Sequence, residues 1–313
     1  METVSIIIVT FNTRELTLSA VQSVFDSGGA FVWDVIVVDN GSRDGTEAAV
    51  KERFPGVKYI SSERNLGFAR ANNLGAREAV GEWILLLNSD ARLKPDSVAR
   101  AIGYLREHAE CGVLGAQLLN EDGTRQNSIA NHPTLATELL SKSLLRRLAP
   151  EKYPGKEHRF KQPVEVESVI GAFLLTPRRV WEAIGGLDER FFFFLEETDF
   201  CLNVMRRGWS IVHHPDVEVW HGQGGSARQV AIPARIEYWR SRYQYFAKNH
   251  PPGAMRWLKI GLCIRLVLNW LLNALAVLLT LGLSRSLRHR FRLNHTLVGW
   301  HLAGRPEGMG IPR

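Results

Sequence analysis

The stretch at residues 82–93, EWILLLNSDARL, constrains the fold of this chain more than any other. Residues 83–87 form an unbroken apolar run that is too short for a helix, which is typical of a strand buried on both faces of a parallel sheet. The run ends at Asn88, Ser89 and Asp90. At this edge open α/β sheets bind ligands, and a carboxylate there can hold a cation that in turn holds a pyrophosphate. The alternative is a polar turn that merely closes the strand.

Three further strands are predicted before this one, at residues 4–10, 34–39 and 57–61, with helical patterns between them. Spacings of roughly 25 residues are typical of parallel strands joined by helical crossovers, so the first half is predicted to run β-α-β-α-β-α-β. The strands end on polar residues, Thr10, Asp39 and Ser61. This pattern predicts a ligand crevice, although every α/β sheet needs polar residues where strands give way to loops.

The two common phosphate-binding loops are missing from the sequence. A dinucleotide-binding fold would show GxGxxG after its first strand, and a P-loop would show GxxxxGK followed by Ser or Thr. Here the first strand is followed by Phe11, Asn12 and Thr13, with no glycine. A cation would therefore have to screen the pyrophosphate of a bound nucleotide, which again points to Asp90.

Several segments resemble, in the same order, the signatures of the family 2 inverting glycosyltransferases, and most of all their rhamnosyltransferase branch. They are SIIIVTFN at 5–12, VVDNGS at 37–42, RNLGFARAN at 64–72 and LLLNSD at 85–90. The resemblance extends from about residue 4 to about residue 225. It implies a GT-A fold, which is a mixed, mostly parallel α/β sheet flanked by helices, and a nucleoside-diphosphate sugar donor linked to dTDP, UDP or GDP.

The resemblance also implies roles for individual residues. A nucleotide-sugar site is expected from Thr10, Asn12, Asp39, Asn65, Gly67, Arg70, Asn88, Ser89 and Asp90. Asp90 would be the metal-binding end of the family's DxD-type motif, whose first Asp is replaced here by the neutral Asn88. Independently of the resemblance, the Asp39 carboxylate can accept a hydrogen bond from a uracil or thymine imide.

An acidic cluster follows four consecutive phenylalanines in the segment 190–202, RFFFFLEETDFCL. Apolar neighbours desolvate a carboxylate and raise its pKa, which suits a general base. Acids in a first helical turn are also common for the structural reason that they complement the helix dipole. The resemblance places the base on Glu197, where the family more often has Asp, and Asp199 is the second candidate, either as base or as a group that orients the loop.

The segment HGQGGS at 221–226 resembles the family's closing motif. A lone histidine is more often structural, but here it follows a predicted strand and precedes a glycine-rich stretch that could close over the donor as a lid. The resemblance assigns a metal or pyrophosphate role to His221. Imidazole can join a carboxylate around a divalent cation, with Mg²⁺ preferring oxygen and Mn²⁺ tolerating nitrogen.

The remaining second half is predicted in outline. Residues 113–118 and 125–129 are predicted to form a hairpin around an Asp-Gly turn, and residues 135–148 an amphipathic helix. Residues 164–176 are predicted to be a strand, and residues 209–213 and 217–220 two short strands. The region 130–163 is a candidate for acceptor recognition, and a variable surface excursion is the alternative.

The C-terminal part is helical, basic and apolar. Residues 233–248 carry aromatic and arginine side chains, and residues 266–283 form an apolar stretch without charge that arginines flank on both sides. Such a segment could span a thin bilayer, lie in its interface as a helix or hairpin, or pack as a buried or dimerising helix. The net charge of +7 suits anionic partners, and the placement of the charge favours an anionic membrane surface over nucleic acid.

The predictions combine into one hypothesis. Residues 1–230 would form the GT-A domain, with a nucleotide-sugar half at 1–118 and an acceptor half at 119–230, and residues 231–313 a membrane-associated region. Widely spaced cysteines and the lack of a signal-peptide pattern predict a cytoplasmic location at the inner face of the membrane. The chain would transfer a sugar, with rhamnose as one candidate, to a hydroxyl of a glycan or polyprenyl-linked acceptor, with Mg²⁺ or Mn²⁺. The alternatives are a sugar nucleotidyltransferase and a non-catalytic sugar-nucleotide or glycan-binding protein.

Overall fold

The computed structural model describes residues 1–153, 159–222 and 231–313. The first half consists of β1 Glu2–Thr10, α1 Arg14–Phe25, β2 Phe31–Asp39, α2 Thr46–Arg53, β3 Lys58–Ser61, α3 Phe68–Glu78, β4 Trp83–Asn88, β5 Ala91–Leu93, α4 Ser97–Glu107 and β6 Cys111–Leu119. The elements that follow are β7 Ile129–Ala130, α5 Leu135–Leu139, α6 Lys142–Leu148, β8 Val164–Glu165, β9 Ser168–Val169, β10 Phe173–Pro177, α7 Arg178–Ile184, α8 Glu196–Arg206, β11 Ser210–His221, α9 Ala231–Asn249, α10 Pro252–Leu279 and α11 Arg285–Leu302.

The chain divides into two compact units. The first contains residues 1–132 and 150–229 together with Arg313, and the second contains residues 133–149 and 230–312. All strands of the large sheet belong to the first unit, whereas α5, α6 and α9 to α11 belong to the second.

A nine-stranded sheet organises the first unit, with the order β3-β2-β1-β4-β10-β6-β11-β5 and with β8 paired to β11. Strands β3, β2, β1 and β4 are parallel, as the first half of the sequence predicts. β10 then pairs antiparallel with both β4 and β6, and β11 is parallel to β6. The sheet is therefore mixed and mostly parallel.

Alternate residues of the central strands face two different apolar layers, because side chains on a strand alternate between its faces. Ile6, Ile8 and Leu85 pack with helix α1 on one face. Ile7 and Leu86 pack with helices α3 and α8 on the other. All five side chains are at most 1% exposed, so burial on both faces accounts for the unbroken apolar runs.

Several predicted elements of the second half are wrong. The predicted hairpin of residues 113–118 with 125–129 does not form, because β6 pairs with β10 and β11 while β7 pairs with β9. A single bridge between Leu119 and Arg125 remains of it. Residues 135–148 form two short helices rather than one, and residues 164–176 form three short strands rather than one.

Strand β11 is one continuous strand rather than the two short strands that Pro215 suggested. Its register with β6 shifts between His214 and Glu218, so the proline lies in a bulge, where its missing N–H costs no ladder hydrogen bond. The short strand β5 was not predicted, and it pairs with the end of β11, bringing Ala91 opposite His221.

Candidate functional site

The polar ends of the first strands meet at one edge of the sheet. Thr10 pairs with Asp39, and Asp39 pairs with Ser61 on the other side. On the opposite flank of β1, Val9 pairs with Asn88. The strand register thus brings together the residues that the sequence placed at separate strand ends, and the edge carries hydroxyl, amide and carboxylate groups side by side.

Asp39 is buried and held by two donors. Its carboxylate accepts the backbone N–H of Ser42 at 2.9 Å and the hydroxyl of Tyr59 at 2.7 Å. Burial and the hydrogen bond to Asp39 raise the pKa of Tyr59. Sequence reasoning missed Tyr59, although it lies two residues before Ser61 on the strand next to Asp39, and residues two apart share a face of a strand. Tyr59 and Ser42 fix the orientation of the Asp39 carboxylate.

Asn12 joins the loops after β1 and β2. Its amide oxygen accepts the backbone N–H of Arg43 at 2.8 Å, and its own backbone N–H donates to the Ser42 hydroxyl at 2.8 Å. The residue has φ 52°, a left-handed conformation that Asn tolerates better than most side chains. Thr10, which is predicted to line the nucleotide pocket, lies opposite Asp39 at this edge. It is fully buried, and its hydroxyl bonds to those of Thr13 and Thr17 at 3.1 and 2.7 Å.

The loop at residues 65–67 is fastened to the end of β2 by Asn40. The Asn40 amide accepts the N–H of Leu66 and donates to the carbonyl of Gly67, each at 3.3 Å. The Asn65 side chain accepts the N–H of Gly67 at 3.0 Å. Asn65 therefore shapes this loop, and Asn40, which was not among the predicted site residues, anchors it.

Gly67 lies against the phenylalanine-rich segment before α8. It has φ 82°, and a Cβ atom built on it would lie 2.4 Å from the carbonyl oxygen of Phe192, so no side chain fits. The neighbouring Phe68 N–H donates to that carbonyl at 2.7 Å. Arg70, one turn along α3, forms an exposed ion pair with Glu189 at 3.3 Å. The loop at residues 65–67, in the predicted nucleotide-sugar half, is thus in direct contact with the phenylalanine-rich segment of the predicted acceptor half.

Asp90 and His221 lie together at the end of β4. Their Oδ1 and Nε2 atoms are 3.4 Å apart, and the Gly222 N–H donates to the Asp90 carbonyl at 2.7 Å. Nearby, the Ser89 hydroxyl accepts from Thr13 at 3.1 Å. The Asn88 side-chain oxygen is buried and has no hydrogen-bond partner among the described residues. Asp90 and His221 are therefore close enough to share a cation, and the Asn88 oxygen, two residues before Asp90, is a third candidate ligand.

These residues provide only part of a metal's coordination. Within residues 1–153, 159–222 and 231–313, no group of three or more His, Cys, Asp and Glu side chains could hold a metal ion by itself. A carboxylate, an imidazole and an amide oxygen leave three positions of a six-coordinate ion to other ligands, such as the oxygens of a diphosphate.

Glu196 and Glu197 begin helix α8 after two residues in left-handed conformations, Phe194 and Leu195, with φ 73° and 69°. Glu196 is buried, Glu197 is partly exposed, and one oxygen of each has no hydrogen-bond partner in the part of the chain that the structure describes. Burial raises the pKa of Glu196, and the Glu197 charge adds to that rise. Burial raises the pKa of Glu197 to about 6.

Asp199 is fully buried, and its carboxylate accepts the side-chain amide of Asn203 at 3.0 Å. This position is compatible with its second predicted role, orientation of the loop. Of the predicted acids, Glu197 is the one with solvent access.

Glu197 is connected to the end of β4 through residues 171 and 172. A Cβ atom built on Gly171 would lie 3.6 Å from the Glu197 side chain, and the carbonyl of Ala172 accepts the Asn88 N–H at 3.2 Å. One short backbone segment therefore touches both the acid and the Asn-Ser-Asp turn. The predicted lid, residues 223–226, lies outside the described residues.

The sequence matches the model of one protein family and is similar to two named transferases. Residues 5–185 match the model of glycosyl transferase family 2. The N-acetylglucosaminyl-diphospho-decaprenol L-rhamnosyltransferase of Mycobacterium tuberculosis is 28% identical over 245 residues, which are 72% of this chain and 80% of that protein. The dTDP-rhamnosyl transferase RfbF of Shigella flexneri is 24% identical over 260 residues, covering 79% of this chain and 80% of the other.

The fold is similar to that of solved glycosyltransferases. The mannosyltransferase PcManGT from Pyrobaculum calidifontis, in complex with GDP-Man and Mn²⁺, superposes with a TM-score of 0.55 at 18% identity. The superposition covers 96% of this chain and 86% of that protein. The GT-A fold predicted from the sequence is thereby confirmed.

Proposed function

This chain belongs to glycosyl transferase family 2 and is a glycosyltransferase, and on that premise we propose that it inverts the anomeric carbon of a nucleoside-diphosphate sugar as it transfers the sugar to an acceptor hydroxyl. Family membership does not support the two alternatives, a nucleotidyltransferase and a non-catalytic binding protein. The observation that carries the proposal is Glu197, a partly exposed acid with a raised pKa, beside the backbone that holds Asn88.

The donor would bind along the edge formed by β1, β2 and β4. Asp39 is the candidate partner of a pyrimidine imide, because its carboxylate is already oriented by Tyr59 and Ser42. Rhamnose linked to dTDP is the proposed donor, since one of the two relatives is named as an L-rhamnosyltransferase and the other as a dTDP-rhamnosyl transferase.

In the proposed transfer step the Glu197 carboxylate accepts the proton of the acceptor hydroxyl. The hydroxyl oxygen forms a bond to the anomeric carbon on the face opposite the diphosphate, whose bond to that carbon breaks as it leaves with the electron pair. No covalent sugar–enzyme intermediate forms. Burial and the neighbouring Glu197 charge raise the pKa of Glu196, which favours its neutral form beside the base.

A divalent cation fits the residues at the end of β4. Asp90 and His221 would hold it, and the buried Asn88 oxygen, which has no hydrogen-bond partner among the described residues, is the third candidate ligand. A nitrogen ligand favours Mn²⁺ over Mg²⁺. When bound, such an ion stabilises the negative charge that develops on the leaving diphosphate.

A turnover assay tests this function. We expect transfer from dTDP-rhamnose to a polyprenyl-diphosphate glycan acceptor with Mn²⁺ present, with UDP- and GDP-sugars used less efficiently. The anomeric configuration of the product, read by NMR, should be the opposite of the donor's. A product that retains the donor configuration, or no product with any donor despite measurable nucleotide binding, would refute the proposal.

The membrane-held acceptor is supported by the apolar surface of the second unit. Helix α10 is 28 residues long and contains an 18-residue stretch with mean hydropathy 2.1, and among the described residues it is the one helix long and apolar enough to cross a bilayer. Exposed side chains recur at helical spacing along it, at Trp257, Ile260, Ile264, Val267, Leu268, Leu271, Leu272, Leu275, Leu278 and Leu279. An apolar stripe of this extent is typical of a membrane- or protein-binding face.

Helix α11 favours insertion into the interface rather than a span. It follows α10 after a turn that exposes Leu281 and Leu283, and its Arg285, Arg290 and Arg292 are exposed. Arginines are costly in hydrocarbon but attract anionic headgroups. We therefore propose that the second unit lies on the anionic inner surface of the membrane and keeps the sugar-transfer unit on the cytoplasmic side.

Replacement of Arg285, Arg290 and Arg292 by Gln is expected to weaken binding to phosphatidylglycerol vesicles by about 100-fold, since each basic residue near the surface contributes about 1 kcal/mol. Vesicle co-sedimentation measures the partition coefficient. In the matched control, Lys51, Arg53 and Arg77 of the first unit are replaced by Gln, which removes the same number of positive charges. Equal losses in the two triple variants would show that the effect is one of net charge and not of α11.

A further inference from the structure

The buried side chain of Gln126 contacts both the backbone and the imidazole ring of His221. It follows β6 in the segment bridged to Leu119, its own N–H donates to the Leu118 carbonyl at 2.8 Å, and it is 6% exposed. Its side-chain nitrogen lies 2.6 Å from the His221 carbonyl oxygen, and its side-chain oxygen lies 3.0 Å from the His221 Nδ1 atom. One amide therefore contacts the main chain and the ring of the same residue.

The surroundings determine which way this amide points. One end of it faces three oxygen atoms, on Leu119, Asn120 and His221, at 3.3, 2.8 and 2.6 Å. Only the NH₂ group can donate to oxygen acceptors, so this end is the nitrogen. The other end, which faces the His221 ring, is the carbonyl oxygen, and it can only accept. A reversed amide would place its oxygen against the carbonyl oxygens of Leu119 and His221, and neither of these can donate a hydrogen bond.

The orientation of the amide determines the hydrogen atoms of the His221 ring. Since Gln126 offers an acceptor to Nδ1, that nitrogen must carry the proton. In the neutral ring Nε2 then has a free lone pair, and this atom faces the Asp90 carboxylate at 3.4 Å. An imidazole nitrogen with a lone pair and a carboxylate oxygen thereby lie 3.4 Å apart, a separation that allows both to bind one cation.

We propose that Gln126 is a positioning residue that holds His221 in the Nδ1–H tautomer, so that Nε2 and the Asp90 carboxylate present their lone pairs to one divalent cation. The inference rests on the proposed metal-assisted function and adds to it a residue outside the ligand set. Because Gln126 also bonds the His221 carbonyl, it fixes the backbone position of the ligand together with the tautomer. Ligating histidines commonly donate their second ring N–H to such a partner.

The first test is metal-free NMR of the full chain labelled with ¹⁵N-histidine, at a pH well above the ordinary imidazole pKa of about 6.5. The His221 signals are assigned by their loss in His221→Asn. In the wild type we expect the proton on Nδ1 and an unprotonated Nε2, and in Gln126→Met a mixture of the two tautomers. A wild-type proton on Nε2, or protons on both nitrogens, would overturn the proposal.

The second test is Mn²⁺ affinity, measured by electron paramagnetic resonance with dTDP present. Gln126→Met is expected to bind Mn²⁺ about 10–100-fold more weakly than the wild type, the usual effect of removing such a partner. The control is Gln117→Met, which removes hydrogen bonds to Leu118, Gln126 and Ser128 in the same segment. We expect the control to keep wild-type affinity.

The outcomes separate this inference from the function on which it rests. Equal affinities for wild type and Gln126→Met, or equal losses in Gln126→Met and Gln117→Met, would overturn the role of Gln126 and leave the metal in place. A wild type that binds no Mn²⁺ would instead remove the metal from the proposed function. The metal-free spectrum distinguishes that result from a failure at Gln126, because the tautomer is measured without any ion.

Discussion

Glu197→Gln is expected to lower the rate of sugar transfer by about 10²–10⁴-fold, the contribution of a positioned general base, while dTDP binds as tightly as to the wild type. The amide keeps the size of the side chain but cannot accept the acceptor's proton. Single-turnover rates and nucleotide calorimetry on the same preparations measure the two quantities. Glu197→Asp is the matched control, since it keeps the base with a shorter reach and should retain part of the rate.

The pH dependence of the wild type follows from the raised pKa of this group. Burial raises the pKa of Glu197 to about 6, and the carboxylate is the active form. The rate of the chemical step should therefore fall tenfold per pH unit below about 6 and become independent of pH above it. The residual rate of Glu197→Gln should lack this inflection. A variant that keeps more than half of the wild-type rate would exclude Glu197 as the base.

Asp90→Asn is expected to abolish the Mn²⁺ dependence of dTDP binding and to slow transfer by about 10²–10³-fold. Loss of a cation's stabilisation of the leaving group costs several kcal/mol, and each 1.4 kcal/mol corresponds to a factor of ten. The substitution preserves shape and removes the charge beside His221. Calorimetric titration of dTDP, UDP and GDP, each with and without Mn²⁺, measures the nucleotide affinity and its dependence on the metal.

Asp96→Asn provides the control for this variant, because it removes the same charge from an exposed position at the start of α4. It should bind dTDP and Mn²⁺ as the wild type does. If Asp90→Asn also retained metal-dependent binding, the Asn-Ser-Asp segment would be only a turn, and the leaving group would need another source of positive charge.

The first half of the fold could be predicted because its signals are local. Strands β1, β2 and β4 each contain an unbroken apolar run followed by a polar residue, and parallel register then brings Thr10, Asp39 and Asn88 to one edge without further information. The second half depends on partners distant in sequence. Strand β10 inserts between β4 and β6, which no local pattern indicates. Because β6 pairs with β10 on one side and with β11 on the other, it has no edge left for the predicted hairpin.

The site could be predicted in part for a related reason. Asp90 and His221 belong to sequence segments with their own signatures, whereas Tyr59, Asn40 and Gln126 act through hydrogen bonds to residues 20 to 95 positions away. Thr10 differs from these residues. Its position at a strand end suggested contact with a ligand, but its side chain turns towards α1 and bonds to Thr17.

The contact between Gly67 and the Phe192 carbonyl has a consequence for engineering this enzyme. With no room for a side chain between them, the loop at residues 65–67 lies directly against the segment that leads into Glu197, so a shift of one is expected to displace the other. Substitutions at residues 65–70 intended to change the sugar nucleotide are therefore expected to alter acceptor kinetics as well. Variants selected for a new donor would therefore have to be screened for their acceptor preference at the same time.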